Sequence, residues 1–248
     1  MITLSSDFGT PYPAAMKGVL CRHSDTRLVD IAHDFPRQDI RTTAFWLREV
    51  LPYFPPAVHL VVVDPGVGTD RAAIAVRAGD HALVGPDNGV LLPVARELGD
   101  REIFEIEYED ANSSTFHGRD VFAPAAARIH ETGVDSMETL PDIEPTGEFE
   151  ALRFPEPTIR ESAAAGEILV VDDFGNAITN VPGGFLDAVD EIEVNGTSAP
   201  VEPSYAHVAL DRQLVTVGSH GNVELAVNQG RGDDAFGVAV GDEIRLEK

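Results

Sequence analysis

The 248-residue chain has a single cysteine, Cys21, and only two lysines, Lys17 and Lys248. One thiol excludes an intramolecular disulfide and a thiolate metal cluster, and it leaves Cys21 with the reading of a small buried core residue. The shortage of lysine is part of a wider deficit of positive charge, since 18 basic residues face 42 acidic ones and the formal net charge is −24. A surface of that sign repels phosphate, which excludes nucleic acid or anionic membrane as a partner bound through a broad basic face. The excess of acid fits adaptation to high salt, where a Debye length of roughly 3 Å at 1 M screens the self-repulsion. No apolar run reaches the roughly 18 residues of a membrane span, and the opening MITLSSDFGT lacks the basic-then-apolar order of a secretory signal. A soluble, cytoplasmic protein is therefore expected.

Common catalytic signatures are missing as well. There is no G-x-x-x-x-G-K-[ST] phosphate loop, no G-x-G-x-x-G, no G-x-S-x-G and no H-E-x-x-H. Gly66-Val67-Gly68 is half a dinucleotide fingerprint without its third glycine. The eight histidines are scattered, with no ligand spacing between them, so no metal is expected.

What is present is a folded chain, 43% hydrophobic, organised around residues 58–71, VHLVVVDPGVGTDR. Val58, Leu60, Val61, Val62 and Val63 form the β-branched run of a strand buried on both faces, and Asp64-Pro65-Gly66 ends it. In open α/β sheets the carboxyl ends of parallel strands face the ligand crevice, which places the Asp64 carboxylate beside whatever binds there. A turn cap is the competing reading of Asp64. A second acidic strand end, Ser5-Ser6-Asp7-Phe8-Gly9, follows a first strand at residues 1–4. Helices are predicted over 14–22, 40–51, 90–98 and 121–130, with strands at 27–31, 73–76 and 82–84. This alternation gives an N-terminal α/β domain with a mainly parallel sheet, spanning 1–155. His117, directly before the helix at 121–130, is open to being oriented by backbone and carboxylates or to packing as a polar-tipped core residue.

Pro, Glu and Ala with weak periodicity mark a linker at 156–165. Beyond it, short segments at 168–171, 191–194, 214–217, 223–227 and 243–246, separated by Gly, Asn and Asp turns, predict a smaller all-β, barrel-like C-terminal domain over 166–248.

Six motifs in one order carry a resemblance that no single one of them would. These are Asp7-Phe8-Gly9-Thr10, Val63 to Thr69 with Arg71, Gly85-Pro86-Asp87-Asn88-Gly89, Phe116 to Pro124, Asp172-Asp173-Phe174-Gly175-Asn176 with Thr179-Asn180, and Ala226-Val227-Asn228-Gln229-Gly230. In that order they resemble the S-adenosylmethionine hydroxide adenosyltransferase family, related to the fluorinase and chlorinase enzymes. The resemblance implies a homotrimer with S-adenosyl-L-methionine bound between subunits, and hydrolysis to adenosine and L-methionine with no cofactor. It implies Asp64, Arg71 and His117 as the water-activating set. Asp7 is implied on the ribose hydroxyls, Phe8 in the pocket, Asn176 on the adenine edge and Phe174 on the base. Asp172 is implied on the methionine ammonium, Ser219 on its carboxylate, and Asn228 among the binding residues. The family pattern also departs here: the loop Thr10-Pro11-Tyr12-Pro13 is short, and His220 stands where halogenating relatives carry Arg. Two alternatives remain at this level, a halogenase and a nucleoside-binding module without turnover. Asp64 argues against the first, because halogenating relatives have an aromatic residue there and a carboxylate repels halide.

Overall fold

Strand-forming apolar runs dominate both ends of the chain, but they are paired in different ways. The computed structural model describes residues 1–108 and 115–248. By its internal contacts the chain divides into two units, Met1–Arg153 and Phe154–Lys248.

The first unit runs β1 (Ile2–Ser6), α1 (Tyr12–His23), β2 (Leu28–Ala32), α2 (Ile40–Val50), β3 (Val58–Val62), β4 (Ala73–Ala78), β5 (His81–Pro86), α3 (Leu92–Leu98), β6 (Arg101–Ile106), α4 (Ala123–Thr132) and β7 (Ile143–Pro145). Its seven-stranded sheet has the order β2-β1-β3-β5-β4-β6-β7. The sheet is mixed. The β2-β1-β3-β5 half is parallel, and the β5-β4-β6-β7 half is antiparallel because Gly79 and Asp80 close a hairpin in place of a helical crossover. The parallel half carries the acidic strand ends. β1 and β3 are neighbours with Ser6 opposite Val62, so Asp7 and Asp64 leave the sheet at the same edge of adjacent strands.

Every residue of β1 and β3 is buried, which requires cover on both faces. Ile2, Leu4, Val58, Leu60 and Val62 share one core with Met16 and Leu20 of α1 and the alanine-rich face of α4. The alternate positions Thr3, His59 and Val61 turn to the opposite face by the two-residue period of a strand. Asp39 starts α2 by accepting a hydrogen bond from the Thr42 backbone N–H at 2.9 Å. On α1 the buried residues are Pro13, Met16 and Leu20. Cys21 is exposed, contrary to the expectation of a core residue: one position past Leu20 is a turn of about 100° away from the buried stripe.

The second unit runs β8 (Thr158–Ile159), β9 (Ala163–Val171), β10 (Ala177–Pro182), β11 (Glu191–Val194), β12 (Thr197–Pro200), β13 (Gln213–Val217), β14 (Asn222–Val227), α5 (Gly232–Phe236) and β15 (Glu243–Glu247). Its strands are ordered β12-β11-β15-β9-β10-β14-β13, with β8 added on β9. Every strand ladder is antiparallel, and one isolated parallel bridge, Val201 to Val215, brings the two ends of the order together into a nearly closed barrel. Ile168, Val181, Val215, Leu225 and Ile244 are among the residues that fill it. The stretch 156–165 contributes to this sheet through β8 and the start of β9, where Ala163, Ala164 and Ala165 pair with Glu247, Leu246 and Arg245. Ladder hydrogen bonds come from the backbone, so a low-propensity alanine run serves as a strand once both neighbours are in place.

Candidate active site

Asp64 lies just past the end of β3, in a loop that folds back on itself. The Gly66 N–H donates to Asp64 Oδ1 at 3.1 Å, and the Thr69 hydroxyl donates to the Gly66 carbonyl at 2.7 Å. These bonds turn the chain so that Arg71, seven residues on, reaches the carboxylate with two prongs. Nε donates to Oδ1 at 2.8 Å and Nη2 to Oδ2 at 2.5 Å. The pair is withdrawn from solvent, with side chains 4% exposed for Asp64 and 11% for Arg71. Behind it the guanidinium sits 5.5 Å from the centroid of the Phe122 ring, and its remaining prong donates to the Ala72 carbonyl. A bidentate, desolvated pair of this kind fixes both position and charge. The turn-rich loop 85–89 braces the same strand end, since Asn88 Nδ2 donates to the Val63 carbonyl at 2.9 Å. In that loop burial raises the Asp87 carboxyl above its ordinary range, opposed by the hydrogen bond from the Glu150 backbone N–H; the Glu150 charge adds to the rise and Arg71 opposes it.

His117 comes from the chain preceding α4. A π-helical turn, Gly118–Phe122, leads into that helix, and such turns re-aim side chains where a regular helix would not. The ring is 6% exposed and meets Tyr108 edge to face at 5.6 Å. Its Nδ1 is buried and has no hydrogen-bond partner among the described residues. The absence of a side chain at Gly118 lets this turn close down, because a Cβ there would lie 2.9 Å from Met16 Sδ.

Asp64 and His117 both face a cleft of about 460 Å³. Phe8, Tyr12 and Phe116 line it with mutual edge-to-face contacts at 5.5–6.3 Å between ring centroids. The cleft therefore has an apolar, aromatic wall and a charged floor. Of the residues expected at a site, the structure brings Phe8, Asp64 and His117 to this cleft, with Arg71 behind Asp64. Asp7 is 8% exposed beside it and accepts a hydrogen bond from the Gln38 N–H at 2.7 Å. Tyr12 and Arg37 also line the cleft, and neither lies within the six ordered motifs.

In the second unit the other expected residues fall into three groups. Asp172 and Asn176 close the β9–β10 turn: the Asn176 backbone N–H donates to Asp172 Oδ1 at 2.8 Å, and its side-chain Nδ2 donates to Oδ2 at 2.9 Å. Phe174, at the tip of the same turn, is 80% exposed. Ser219 lies exposed in the β13–β14 turn. Asn228 is turned inward, and its Nδ2 donates to the Val208 carbonyl at 2.8 Å, holding the chain beside β14. Asn176 Nδ2 also reaches Tyr205 Oη at 3.4 Å, whose hydroxyl donates to Glu224 Oε1 at 2.6 Å. Glu224 and His220 complete this chain, with His220 Nε2 3.3 Å from Glu224 Oε2. Tyr205 and Glu224 escaped sequence reasoning because a glutamate in a strand is legible as buried only once its partners are seen.

Among the described residues no group of three or more His, Cys, Asp or Glu side chains is arranged to hold a metal, and no helix is long and apolar enough to cross a membrane.

A mixed α/β unit with a charged, aromatic-walled cleft at its parallel strand ends, followed by an antiparallel barrel, is a two-part plan that family models match part by part. The model of the SAM hydroxide adenosyltransferase N-terminal domain matches residues 2–140, and that of the C-terminal domain matches 166–245. The chain belongs to the SAM hydroxide adenosyltransferase family. It is 42% identical to an (R)-S-adenosyl-L-methionine hydrolase of Salinispora tropica, over 99% of this chain and 97% of that one. It is 38% identical to an (R)-S-adenosyl-L-methionine hydrolase of Thermus thermophilus, over 97% of each chain. A fluorinase of Actinopolyspora mzabensis is more distant, 22% identical over 100% of this chain and 97% of its own. Among solved structures, an uncharacterized conserved protein from Thermotoga maritima superposes with a TM-score of 0.86 at 34% identity, covering 100% of both chains.

Proposed function

We propose that the chain hydrolyses S-adenosyl-L-methionine to adenosine and L-methionine. Water oxygen bonds to the ribose C5′ as the C5′–S bond breaks, the electron pair returns to sulfur, and the water gives up a proton. The sulfonium leaves as a neutral thioether and needs no acid. The demand falls on the nucleophile, which must be aligned with the breaking bond and deprotonated. The observation that carries the reading is the Asp64 carboxylate, clamped by Arg71 and set in one cleft with His117. Both Asp64 oxygens already accept hydrogen bonds, so Asp64 aligns the water. His117, which lines the same cleft, takes the proton.

In this reading Asp7 accepts from the ribose diol, Phe8 walls the pocket, and Asn176 and Phe174 hold the base. Asp172 meets the ammonium and Ser219 the carboxylate, with Asn228 among the binding residues. The barrel residues reach the cleft of a neighbouring subunit in a homotrimer, with no cofactor, in a cytoplasm of high salt. Sedimentation of the active protein as a monomer would remove the trimer.

A halogenase is the second reading, favoured only by the distant fluorinase match. The assay is incubation with S-adenosyl-L-methionine in molar salt, followed by chromatography. Adenosine and methionine in equal amounts are expected. 5′-Chloroadenosine would favour the halogenase, and intact substrate would leave a nucleoside-binding module.

A further inference from the structure

The hydrogen-bond chain in the barrel has a direction, and the direction follows from which groups are able to donate. The Asn222 backbone N–H donates to His220 Nδ1 at 3.2 Å, so in the neutral ring the proton sits on Nε2 and points at Glu224 Oε2, 3.3 Å away. Glu224 is 4% exposed and accepts on its other oxygen from the Tyr205 hydroxyl at 2.6 Å. Burial, with the Glu224 carboxylate next, raises the Tyr205 phenol far above its ordinary range and keeps its proton in that bond. The Tyr205 oxygen is left only to accept, and the group that faces it is Asn176 Nδ2 at 3.4 Å. The second N–H of the same amide goes to Asp172 Oδ2 at 2.9 Å. Turning the amide over would set Asn176 Oδ1 against a carboxylate, so that arrangement is excluded electrostatically. Both donors of Asn176 are thus spent inside the protein, and no described residue donates to its Oδ1.

We infer that Asp172 on one side and Tyr205, held by Glu224, on the other lock the Asn176 amide so that it offers the ligand an acceptor only. The site then takes a purine with a donor at its 6-position, the amino group of an adenosyl unit, and rejects a 6-oxo purine, whose carbonyl would face another carbonyl. This rests on the proposed reading in which Asn176 faces the base. Tyr205 and Glu224 touch no substrate and act as positioning residues. Gly218 belongs to the same device, since a Cβ there would lie 2.6 Å from Glu224 Oε2 and run into the His220 ring.

Calorimetric titration of the full chain with adenosine and with inosine, in molar salt, tests the lock. The wild type is expected to bind adenosine at least about tenfold more tightly, the scale of one mismatched hydrogen bond. In Asp172→Asn the new amide keeps an acceptor for the Asn176 backbone N–H and presents a donor to the Asn176 side chain, which turns that side chain over. In Tyr205→Phe the opposing anchor is lost. Tyr205→Phe alone should narrow the ratio by about threefold, and the double variant should bring it to unity or invert it. A residue that only supports the fold would weaken both nucleosides alike and leave their ratio unmoved, so an unchanged ratio in the double variant overturns the lock, as does a wild type without preference. If the double variant does not fold, Asp172→Asn alone must narrow the ratio. Preference without hydrolysis of S-adenosyl-L-methionine would remove the proposed reaction and keep the lock; hydrolysis without preference would do the reverse.

Discussion

Two polar clusters, one in each unit, are built from similar residues and finished differently. In the α/β unit, Asp64 and Arg71 satisfy each other, but His117, which lines the cleft, keeps a buried nitrogen without a partner among the described residues. In the barrel unit, Asp172, Asn176, Tyr205, Glu224 and His220 satisfy one another in sequence, and what is left over is one carbonyl oxygen. An unsatisfied buried group costs stability, on the order of 1–3 kcal/mol, and persists where it has chemistry to perform. A satisfied network instead specifies a single geometry. On the proposed reading this difference is a division of labour, in which the first cluster reacts and the second recognises.

Substitutions ranked by expected effect put this contrast at risk. Asp64→Ala should lower kcat by at least about a hundredfold while substrate affinity changes by no more than a few fold, the scale for losing a positioned catalytic group. Equal losses in both would make Asp64 a structural residue like those of the barrel. Arg71→Lys replaces a fork with a point charge and should cost about tenfold in kcat, read in the same steady-state assay. An unaffected enzyme would mean that the bidentate geometry is irrelevant to the water.

A third buried set sharpens the comparison because it faces neither cleft nor turn. The Thr3 hydroxyl lies 2.8 Å from His59 Nδ1, and His59 Nε2 lies 2.9 Å from His81 Nδ1, with the two rings stacked at 5.1 Å. Burial, then the neighbouring His81, lower the His59 imidazole from 6.5 to about 3. The unfolded chain therefore binds a proton that the folded one refuses. Stability is complete above the ordinary value and falls as pH drops below it, by about 1.4 kcal/mol at pH 5.5 from this group. Chemical denaturation at pH 7.5 and 5.5 should show the loss, and His59→Gln should show less of it; equal losses in the two proteins would refute the assignment. The smallest effect is expected at Phe174. Because this residue is 80% exposed, Phe174→Ala should change the unfolding free energy by no more than about 0.5 kcal/mol while weakening adenosine binding, read by chemical denaturation and calorimetry.

The reactive cluster was more legible in the sequence than the recognising one. Asp64 announces itself by following the apolar run Leu60 to Val63 and preceding Pro65-Gly66, because strand burial and chain reversal are local events. Arg71 and His117 became partners of Asp64 only through the order of motifs, since nothing local says that a loop returns to its own start. β6, Arg101 to Ile106, buries Ile103, Phe104 and Ile106 without a clean two-residue alternation, so its place in the sheet is set by β4 and β7. β10 includes Thr179 and Asn180, polar residues that look like a turn until Thr179 is seen donating to the Val223 carbonyl at 2.9 Å. Glu224 is the extreme case: its sequence neighbours Val223 and Leu225 mark a strand, but whether its carboxylate points to water or to Tyr205 is decided 19 residues away.

The barrel has a zipper with one tooth. Apart from the Val201–Val215 bridge and the Glu202 N–H donated to the Val215 carbonyl at 3.0 Å, the ends of its strand order are not stitched by a regular ladder. Local opening draws on the least-bonded elements first. The Glu202 amide should therefore exchange with deuterium well before those of β9 and β10, whose ladders run on both sides, giving the molecule a preferred line along which to come undone.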